Sequence, residues 1–250
     1  MFDLKNEVVI VTGASSGLGR HFARILAAAG AQVAVLARRR DKLDELVRAL
    51  PDGRAVAISA DIADRASLDG VLPAVIAAFG QPTLLINNAG IADEQAALDL
   101  ADDDWHRVLE TNLTGTWQMA QLCAQNWVAA KQPGNIINIA SILGLRVAGR
   151  SLPYAVSKAG LIQMTKALSL EWARYQIRVN AIAPGYIETD LNRDFFATTA
   201  GEALIKRIPQ RRLGQPGDLD GVLLLLASQA SSYITGSIIA VDGGHLNSSL

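Results

Sequence analysis

A glycine-rich turn directly after the first apolar run of the chain constrains the fold more than any other feature. The run is Val8–Thr12, and Gly13, Gly17 and Gly19 follow it in the spacing G-x-x-x-G-x-G. Apolar residues such as Phe22 then share one helical face, so the stretch predicts the strand, turn and helix that open a βαβ unit. Without a Cβ the turn can lie close to a ligand, and the positive end of the helix favours a pyrophosphate. An ordinary turn between a strand and a helix is the alternative interpretation.

The rest of the chain continues the alternation of strands and helices. Apolar runs of strand length lie at residues 33–37, 55–59, 83–87, 134–140, 177–183 and 237–241. Helical patterns separate them, and we find no internal repeat, low-complexity tract or linker. Seven strands alternating with helices predict a single α/β domain over residues 1–250. The expected architecture is a Rossmann-type, doubly wound parallel sheet with helices on both faces.

Local signals also predict where individual elements begin and end. Asp41 is the expected N-cap of the second helix. Residues 68–79 carry one unbroken apolar stripe and predict one helix, and residues 102–130 predict another. Residues 190–213 have a mixed composition, so we expect an irregular stretch there that acts as a lid or substrate-binding loop.

The end of the second strand bears on the choice of cofactor. In a dinucleotide-binding unit this point faces the adenosine ribose, where an acid holds the 2′-hydroxyl and a guanidinium can hold a 2′-phosphate. The strand ends at Ala37 without an acid, and Arg38 follows. We therefore expect NADP(H) to be preferred, with NAD(H) possible. Alternatively, Arg38 belongs to a solvated patch, which is our interpretation of Arg39 and Arg40.

Polar side chains stand where later strands end. Asn87 and Asn88 follow the fourth strand and Ser141 follows the fifth, at the edge where open α/β sheets bind ligands. Tyr154 and Lys158 are four residues apart and therefore share a face of the next helix. In isolation this pair also fits an aromatic ring packed against a lysine stem.

Two residues of the predicted helix 102–130 need their own interpretation. Asn112 stands where an apolar residue would continue the stripe, and a buried amide is either a satisfied structural group or part of a site. Cys123 is the one cysteine and lies on an apolar helix face, so we expect a buried structural thiol.

Charge and composition exclude several classes of function. The formal net charge is −1, which provides no electrostatic attraction to nucleic acid or to an anionic membrane. No apolar run approaches the length of a membrane span, and the N-terminus lacks the pattern of a signal peptide, so we expect a cytoplasmic protein. His21, His106 and His245 are too scattered for a metal triad, and no metal is expected.

Together these residues resemble the short-chain dehydrogenase/reductase family over nearly the whole chain. The motifs, in the family's order and spacing, are Thr12-Gly13-x-x-x-Gly17-x-Gly19, Asn88-Ala89-Gly90, Asn112, Ser141, Tyr154-x-x-x-Lys158 and Pro184-Gly185. The resemblance implies a sheet of order 3-2-1-4-5-6-7 and hydride exchange between a nicotinamide cofactor and a carbonyl or alcohol. It also implies a homotetramer, or a homodimer, built partly on the helices that carry Asn112 and Tyr154.

The resemblance further implies a role for each catalytic residue. Tyr154 is the general acid and base, Ser141 holds the substrate oxygen, Lys158 binds the nicotinamide ribose, and Asn112 holds a water that links Lys158 to solvent. Acid and base catalysis near neutral pH needs a phenol with a pKa lowered from about 10 to about 7. We expect Lys158 to supply that lowering inside a partly dry pocket.

A set of cofactor contacts is implied in the same way. Asp61 and Ile62 would flank the adenine, and Ile187 and Thr189 would contact the carboxamide and the phosphates. The full set is Gly13, Ser15, Ser16, Gly17, Leu18, Gly19, Arg38, Asp61, Ile62, Asn88, Ala89, Gly90, Tyr154, Lys158, Pro184, Gly185, Ile187 and Thr189. Many NADP-preferring members carry a basic residue where this chain has Ser16, so the preference would depend on Arg38 alone.

The sequence leaves the small-molecule substrate open. We expect a ketone or secondary alcohol, first of all a 3-oxoacyl-type or other keto substrate, because basic residues within 190–213 could meet a phosphate-bearing carrier. A sugar or polyol dehydrogenase of the gluconate or glucose type is the second interpretation. An alternative of another class is a catalytically silent nucleotide-binding scaffold or sensor, which would be expected to lack Ser141, Tyr154 or Lys158.

Overall fold

The computed structural model describes residues 2–189 and 192–248. Its strands are β1 Val8–Thr12, β2 Gln32–Ala37, β3 Ala55–Ser59, β4 Leu84–Asn87, β5 Gly134–Ile139, β6 Ile177–Pro184 and β7 Ile238–Val241. They form one parallel sheet in the order β3-β2-β1-β4-β5-β6-β7. The predicted fold class and strand order are therefore confirmed.

Helices cover both faces of this sheet. They are α1 Gly17–Ala28, α2 Arg40–Arg48, α3 Arg65–Leu68, α4 Val71–Phe79, α5 Asp102–Leu109, α6 Gly115–Ala130, α7 Leu152–Trp172, α8 Arg193–Phe196, α9 Thr199–Ile205 and α10 Asp220–Ala227. A π-helical turn, Glu110–Thr114, joins α5 to α6, and 3-10 turns include Ile142–Gly144 and His245–Asn247. Among the described helices, none has both the length and the apolar character needed to cross a bilayer.

The core consists of two main layers, one on each side of the sheet. Helices α1, α2 and α10 pack on one face, and α4, α6 and α7 pack on the other. Successive residues of β1 point to opposite layers, with Val9 in the first and Ile10 in the second. Burial on both faces explains why the central strands are continuously apolar, since each buried Val, Leu or Ile side chain contributes about 1.5–3 kcal/mol. Cys123 is fully buried in the second layer, and burial raises the pKa of its thiol to about 12, as expected of a structural cysteine.

The topology fixes where a ligand can enter. All carboxyl ends of parallel strands lie at one edge, and the chain proceeds from β1 to β2 on one side but reaches β4 on the other. The connections therefore diverge between β1 and β4 and open a crevice there, which is where doubly wound sheets bind ligands.

The helix predicted over residues 102–130 is divided in the structure. Its middle, Glu110–Thr114, is a π-helical turn that contains Asn112. The Asn112 amide makes hydrogen bonds to Ile91 and Ser157, which lie far away in the sequence. Periodicity alone therefore could not reveal the turn, and π-helical turns are frequent at functional sites.

The helix predicted over residues 68–79 is also divided, because α3 ends at Leu68 and α4 begins at Val71. Pro73 has no N–H to bond the carbonyl of Asp69, and its ring would clash with that carbonyl, so a continuous helix is unfavourable at this point. The predicted cap of the second helix is wrong as well. That helix begins at Arg40, which places Asp41 in its first turn.

Residues 192–213 are only partly irregular, because two short helices interrupt the predicted loop and turns follow them over residues 206–213. The helices are α8 and α9, and the Thr198 hydroxyl caps α9 by accepting a hydrogen bond from the Gly201 N–H at 3.2 Å. Asp190 and Leu191, the start of the predicted loop, lie outside the described residues.

Candidate active site

A cleft of about 1050 Å³ opens at the carboxyl edge of the sheet. It is lined by most of the predicted site residues, namely Gly13, Ser15, Ser16, Gly17, Leu18, Arg38, Asp61, Ile62, Asn88, Ala89, Gly90, Ser141, Tyr154, Lys158, Pro184, Gly185, Ile187 and Thr189. Gly19 and Asn112 are buried and do not belong to this lining. The fold thus brings together short stretches that are far apart in the sequence.

The glycine-rich turn lies against the end of β4 at a distance that only glycine permits. Gly13 has a φ of +68°, and a Cβ on it would stand 2.7 Å from the Cα of Ala89. A Cβ on Gly19 would stand 2.5 Å from the carbonyl oxygen of Gly13. Because both distances are shorter than real Cβ contacts, the turn could not keep this shape with larger residues.

Thr12 and Asn88 hold this turn in place. The Thr12 hydroxyl accepts hydrogen bonds from the backbone N–H groups of Asn88 and Ala89, each at 3.0 Å. The side-chain amide of Asn88 donates to the Thr12 carbonyl oxygen at 2.9 Å. Asn88 therefore shapes the floor of the cleft by tying β1 to β4.

The N-terminus of α1 faces the same cleft. Its N-cap, Ser16, is extended, and its hydroxyl makes no capping hydrogen bond. The first N–H groups of a helix have no partner within the helix, and the helix dipole adds positive potential there. Together with the glycine turn, this end of α1 fits the pyrophosphate of a dinucleotide.

The arginines after β2 differ in their surroundings. The Arg38 side chain is 73% exposed, with Nη1 3.7 Å from Oδ2 of Asp61. Arg40 donates from Nε to Oδ1 of Asp44 at 2.8 Å, one turn along α2, which matches its interpretation as a surface group.

Arg39 is exposed but not simply solvated. Its Nη2 donates to the hydroxyl oxygens of Ser15 at 2.9 Å and Ser16 at 3.2 Å. The guanidinium therefore lies across the glycine-rich turn and lines the cleft. The sequence gives no signal for this contact, because it depends on how the end of β2 approaches the turn after β1.

Ser141, Tyr154 and Lys158 meet at the other end of the cleft. The Ser141 hydroxyl accepts a hydrogen bond from the Leu143 N–H at 3.1 Å and is hydrogen-bonded to the Tyr154 phenol. Lys158 Nζ donates to the Ile139 carbonyl oxygen at 2.8 Å and lies 5.6 Å from the centre of the Tyr154 ring. The end of β5 and one face of α7 thus position a hydroxyl, a phenol and an amine together.

Burial dominates the electrostatics of these groups. It raises the pKa of the Tyr154 phenol, and the hydrogen bond with Ser141 opposes that shift. It lowers the pKa of the Lys158 ammonium to about 8. The shift of Tyr154 is opposite to the lowering that we expected, because transfer of a phenolate into a dry site is unfavourable unless enough positive charge faces it.

Asn112 fixes the wall beside Lys158. Its Oδ1 accepts from the Ile91 N–H at 2.8 Å, and its Nδ2 donates to the Ile91 carbonyl at 2.9 Å and to the Ser157 hydroxyl at 3.0 Å. The side-chain amide is therefore fully used in joining the π-helical turn to α7 and to the segment after β4. The water contact implied for Asn112 stays a prediction.

Two polar residues that were not predicted from the sequence, Glu94 and Tyr186, also line the cleft. Tyr186 directly follows the Pro184-Gly185 pair at the end of β6, and this position in the sequence could have indicated it. Glu94 lies in the segment after Gly90 and carries no comparable signal.

Comparison with known proteins agrees with this architecture. A family model described as enoyl-(acyl carrier protein) reductase matches residues 13–245. The chain is similar to 2-dehydro-3-deoxy-D-gluconate 5-dehydrogenase of Escherichia coli, with 38% identity covering 98% of this chain and 97% of that protein. It is also similar to 3-oxoacyl-(acyl-carrier-protein) reductase of Thermotoga maritima, with 36% identity covering 96% and 98%.

A solved structure shows the same similarity in three dimensions. The crystal structure of a gluconate 5-dehydrogenase from Burkholderia cenocepacia, in complex with NADP and tartrate, superposes with a TM-score of 0.94. The two sequences are 35% identical, and the match covers 99% of this chain and 98% of the other.

Proposed function

Since this chain belongs to the short-chain dehydrogenase/reductase family and is an oxidoreductase, we propose that it exchanges hydride between NADP(H) and a ketone or secondary alcohol. The observation that carries the proposal is the contact of Ser141, Tyr154 and Lys158 beside a glycine-bounded crevice. A silent scaffold or sensor would have no need for a buried hydroxyl, phenol and amine in contact.

The residues of the crevice fit a dinucleotide. A Cβ at Gly13 or Gly19 would fill the turn, and the N–H groups at the start of α1 suit its phosphates. Lys158 would hold the nicotinamide ribose, Pro184, Gly185, Ile187 and Thr189 would surround the nicotinamide, and Asp61 and Ile62 would flank the adenine. When bound, such a cofactor supplies the hydride-transferring ring and, in its oxidised form, a positive charge near the phenol.

NADP(H) is the proposed preference because two guanidinium groups stand at the adenosine end. Arg38 follows β2, as the sequence indicated, and Arg39 lies on Ser15 and Ser16. Arg39 thus brings positive charge to the position where many NADP-preferring family members have a basic residue in place of Ser16. Guanidinium groups suit phosphate because their planar donors can form paired, charge-assisted hydrogen bonds.

In the proposed reaction, Tyr154 moves the proton and Ser141 holds the substrate oxygen. During reduction the phenol gives its proton to the carbonyl oxygen, and during oxidation the phenolate takes the proton from the alcohol. The Ser141 hydroxyl donates a hydrogen bond to the oxygen as it gains negative charge. Lys158 keeps its positive charge next to the phenol, where it favours the phenolate.

A comparison of free energies indicates how much of the required lowering of the Tyr154 pKa Lys158 can supply. A phenol pKa near 7 instead of 10 requires about 4 kcal/mol in favour of the phenolate. Lys158 Nζ lies 5.6 Å from the centre of the Tyr154 ring, and at a charge separation of that size one positive charge would supply about 3 kcal/mol at an effective dielectric constant near 20 and under 1 kcal/mol in water. The chain's ammonium alone therefore falls short, and the proposed site works only when it is dry.

The sequence leaves two substrate classes open, a 3-oxoacyl-type substrate and a sugar or polyol. Relatives of both kinds are similar to this chain. A 3-oxoacyl thioester carries an acyl chain next to the reacting carbonyl, whereas a sugar or polyol carries hydroxyl groups there. The pocket around Tyr154 combines apolar side chains, such as Phe196, with polar ones, such as Tyr186. Both classes belong in the first substrate panel.

The proposal is tested by cofactor binding followed by turnover. We expect NADPH to bind at least tenfold more tightly than NADH in a fluorescence titration. We then expect NADPH oxidation with at least one member of a panel of 3-oxoacyl thioesters, keto sugars and simple ketones. Tight NADPH binding without turnover of any class, in either direction, would instead support the scaffold or sensor.

The assembly is a separate part of the proposal. A homotetramer, or a homodimer, is supported by apolar side chains that α7 leaves exposed, Leu170 at 82% and Val156 at 40%. Trp117 of α6 stacks on Trp172 of α7 with ring centres 6.1 Å apart, so the two helices present one continuous surface. Light scattering of the purified protein measures the number of subunits.

A further inference from the structure

Tyr186 has a fixed ring and a free hydroxyl. Its carbonyl accepts a hydrogen bond from the Gly214 N–H at 2.9 Å. The ring lies edge-on to Phe196, with centres 5.8 Å apart, and is tilted against His245, with centres 5.6 Å apart. Within residues 2–189 and 192–248, the phenol oxygen forms no hydrogen bond. A rigid ring therefore presents an unused donor and acceptor to the cleft.

Tyr186 lines the same cleft as Ser141 and Tyr154. Burial raises the pKa of Tyr186, the charge of Arg146 lowers it, and the charge of Glu94 raises it. A negative charge on Tyr186 also raises the pKa of Tyr154. Tyr186 therefore shares the cleft with the proposed acid and base, and its phenol interacts electrostatically with a guanidinium and a carboxylate.

The Arg146 guanidinium forms its hydrogen bonds with the C-terminal turn. Its Nη1 donates to the His245 carbonyl at 2.5 Å and reaches the Ser248 hydroxyl at 3.4 Å. Its guanidinium therefore fastens the C-terminal turn whose His245 ring supports Tyr186. This arrangement leaves the phenol, and not the guanidinium, as the polar group that faces a substrate.

Glu94 is the second unused polar group. Its side chain is exposed to the cleft, and its carboxylate has no hydrogen bond or ion pair with any residue that the structure describes. A carboxylate in this position accepts hydrogen bonds from hydroxyl groups and repels anions. It therefore suits a substrate that bears hydroxyl groups.

We propose that Tyr186 determines substrate specificity, and that its hydroxyl, assisted by Glu94, binds a hydroxyl group on the carbon next to the reacting carbonyl. The substrate class is then a vicinal hydroxyketone or the corresponding diol. This inference rests on the proposed oxidoreductase function and selects the polyol class from the two left open. A site that hydrogen-bonds a substrate hydroxyl discriminates strongly against the analogue without it, because its own polar groups would be left unpaired.

The test compares acetoin with butanone, which differ by a single hydroxyl group. With NADPH, we expect a kcat/KM for acetoin at least 100-fold above that for butanone. Tyr186→Phe is expected to reduce this ratio at least tenfold, and Glu94→Gln about threefold. The matched control is Tyr233→Phe, since Tyr233 is fully exposed and does not line the cleft, and it should leave the ratio unchanged.

A binding measurement separates this inference from the proposed function. Dissociation constants of both ketones, obtained by ligand-observed NMR, should show the same preference and the same loss in Tyr186→Phe. If neither ketone is reduced while the binding preference persists, the oxidoreductase proposal fails and the hydroxyl-binding role stands. Equal binding and turnover of the two ketones by the unmodified protein, or an equal loss for both in Tyr186→Phe, would overturn the role of Tyr186.

Discussion

The two ends of the cleft use positive charge in opposite surroundings. At the reacting end, Lys158 is 4% exposed and hydrogen-bonds a backbone carbonyl inside the protein. At the adenosine end, the Arg38 side chain is 73% exposed, and Arg39 lies on two serine hydroxyls at the surface. A charge pair 4 Å apart interacts with about 4 kcal/mol near an effective dielectric constant of 20, but only about 1 kcal/mol in water. The same type of charge therefore acts much more strongly at the reacting end.

This difference orders the expected effects of substitution. At the reacting end, which is buried, no water molecule can replace the proton of Tyr154 or the charge of Lys158. Loss of either group should therefore change the turnover rate by orders of magnitude. At the adenosine end, which is exposed, water and salt screen each guanidinium. Substitutions there should have smaller effects, confined to the relative affinity for NADPH and NADH.

Tyr154→Phe should have the largest effect. It removes only the hydroxyl that exchanges the proton, and we expect kcat to fall at least 1000-fold, within the range of general acid and base catalysis. NADPH affinity should change less than threefold, since the ring remains. NADPH absorbance measures the rate, and fluorescence measures binding.

A conservative change elsewhere provides the control for this substitution. Tyr175→Phe removes a hydroxyl that is exposed and hydrogen-bonded to Arg174, so turnover should be unchanged. If the Tyr154 variant kept even a tenth of the normal rate, Tyr154 would not be the acid and base.

Lys158→Met should lower turnover about 100-fold and yet stabilise the fold. Burial lowers the Lys158 pKa from its usual 10.5 to about 8, and at about 1.4 kcal/mol per pH unit this corresponds to about 3 kcal/mol. Below pH 8 the amine is charged in both folded and unfolded states, so this destabilisation is fully present. Between pH 8 and 10.5 the folded protein loses the proton first, and the destabilisation disappears.

The effect of Lys158→Met on stability is measured as the difference in free energy of unfolding between the two proteins, compared at two pH values. Urea unfolding at pH 7 and pH 10 gives the free energy of unfolding of both proteins, and other titrating groups cancel because they are common to both. We expect the Met variant to be the more stable at pH 7 and the gap to narrow at pH 10. A gap that did not depend on pH would show that the ammonium is not held in a dry site.

Much of the dinucleotide half could be predicted from the sequence because its signals are local. The turn after β1 needs glycine at Gly13 and Gly19 for backbone reasons, and strands buried on both faces must be continuously apolar. Short spacings therefore indicated the fold, the strand order through the family resemblance, and the stretches that line the cleft.

The parts that sequence could not predict depend on contacts between distant residues. The π-helical turn around Asn112 is joined to Ile91 and Ser157 by hydrogen bonds, and the contact of Arg39 joins the end of β2 to the turn after β1. The direction of the Tyr154 pKa shift depends on burial, which no spacing reveals. These features are the ones that set charge and shape within the site.

The smallest expected effect concerns the arginines, and it tests whether the adenosine end acts only on cofactor choice. Arg39→Ala removes the guanidinium on Ser15 and Ser16, and Arg38→Ala removes its neighbour. We expect each to weaken NADPH binding about tenfold, in line with the loss of one screened charge-assisted hydrogen bond, with little change for NADH. Arg40→Ala is the matched control, because Arg40 pairs with Asp44 on α2, and it should affect neither cofactor.

Added salt provides a second way to distinguish the exposed arginines from the buried Lys158. It should reduce the preference for NADPH over NADH in binding but leave the Lys158-dependent rate nearly unaffected. Equal losses of NADPH and NADH affinity in the Arg39 variant would mean that its guanidinium only shapes the glycine-rich turn. The preference would then depend on Arg38 alone, as the sequence first indicated. A loss specific to NADPH in both variants would instead show that two exposed charges share one phosphate, in contrast to the single buried charge beside Tyr154.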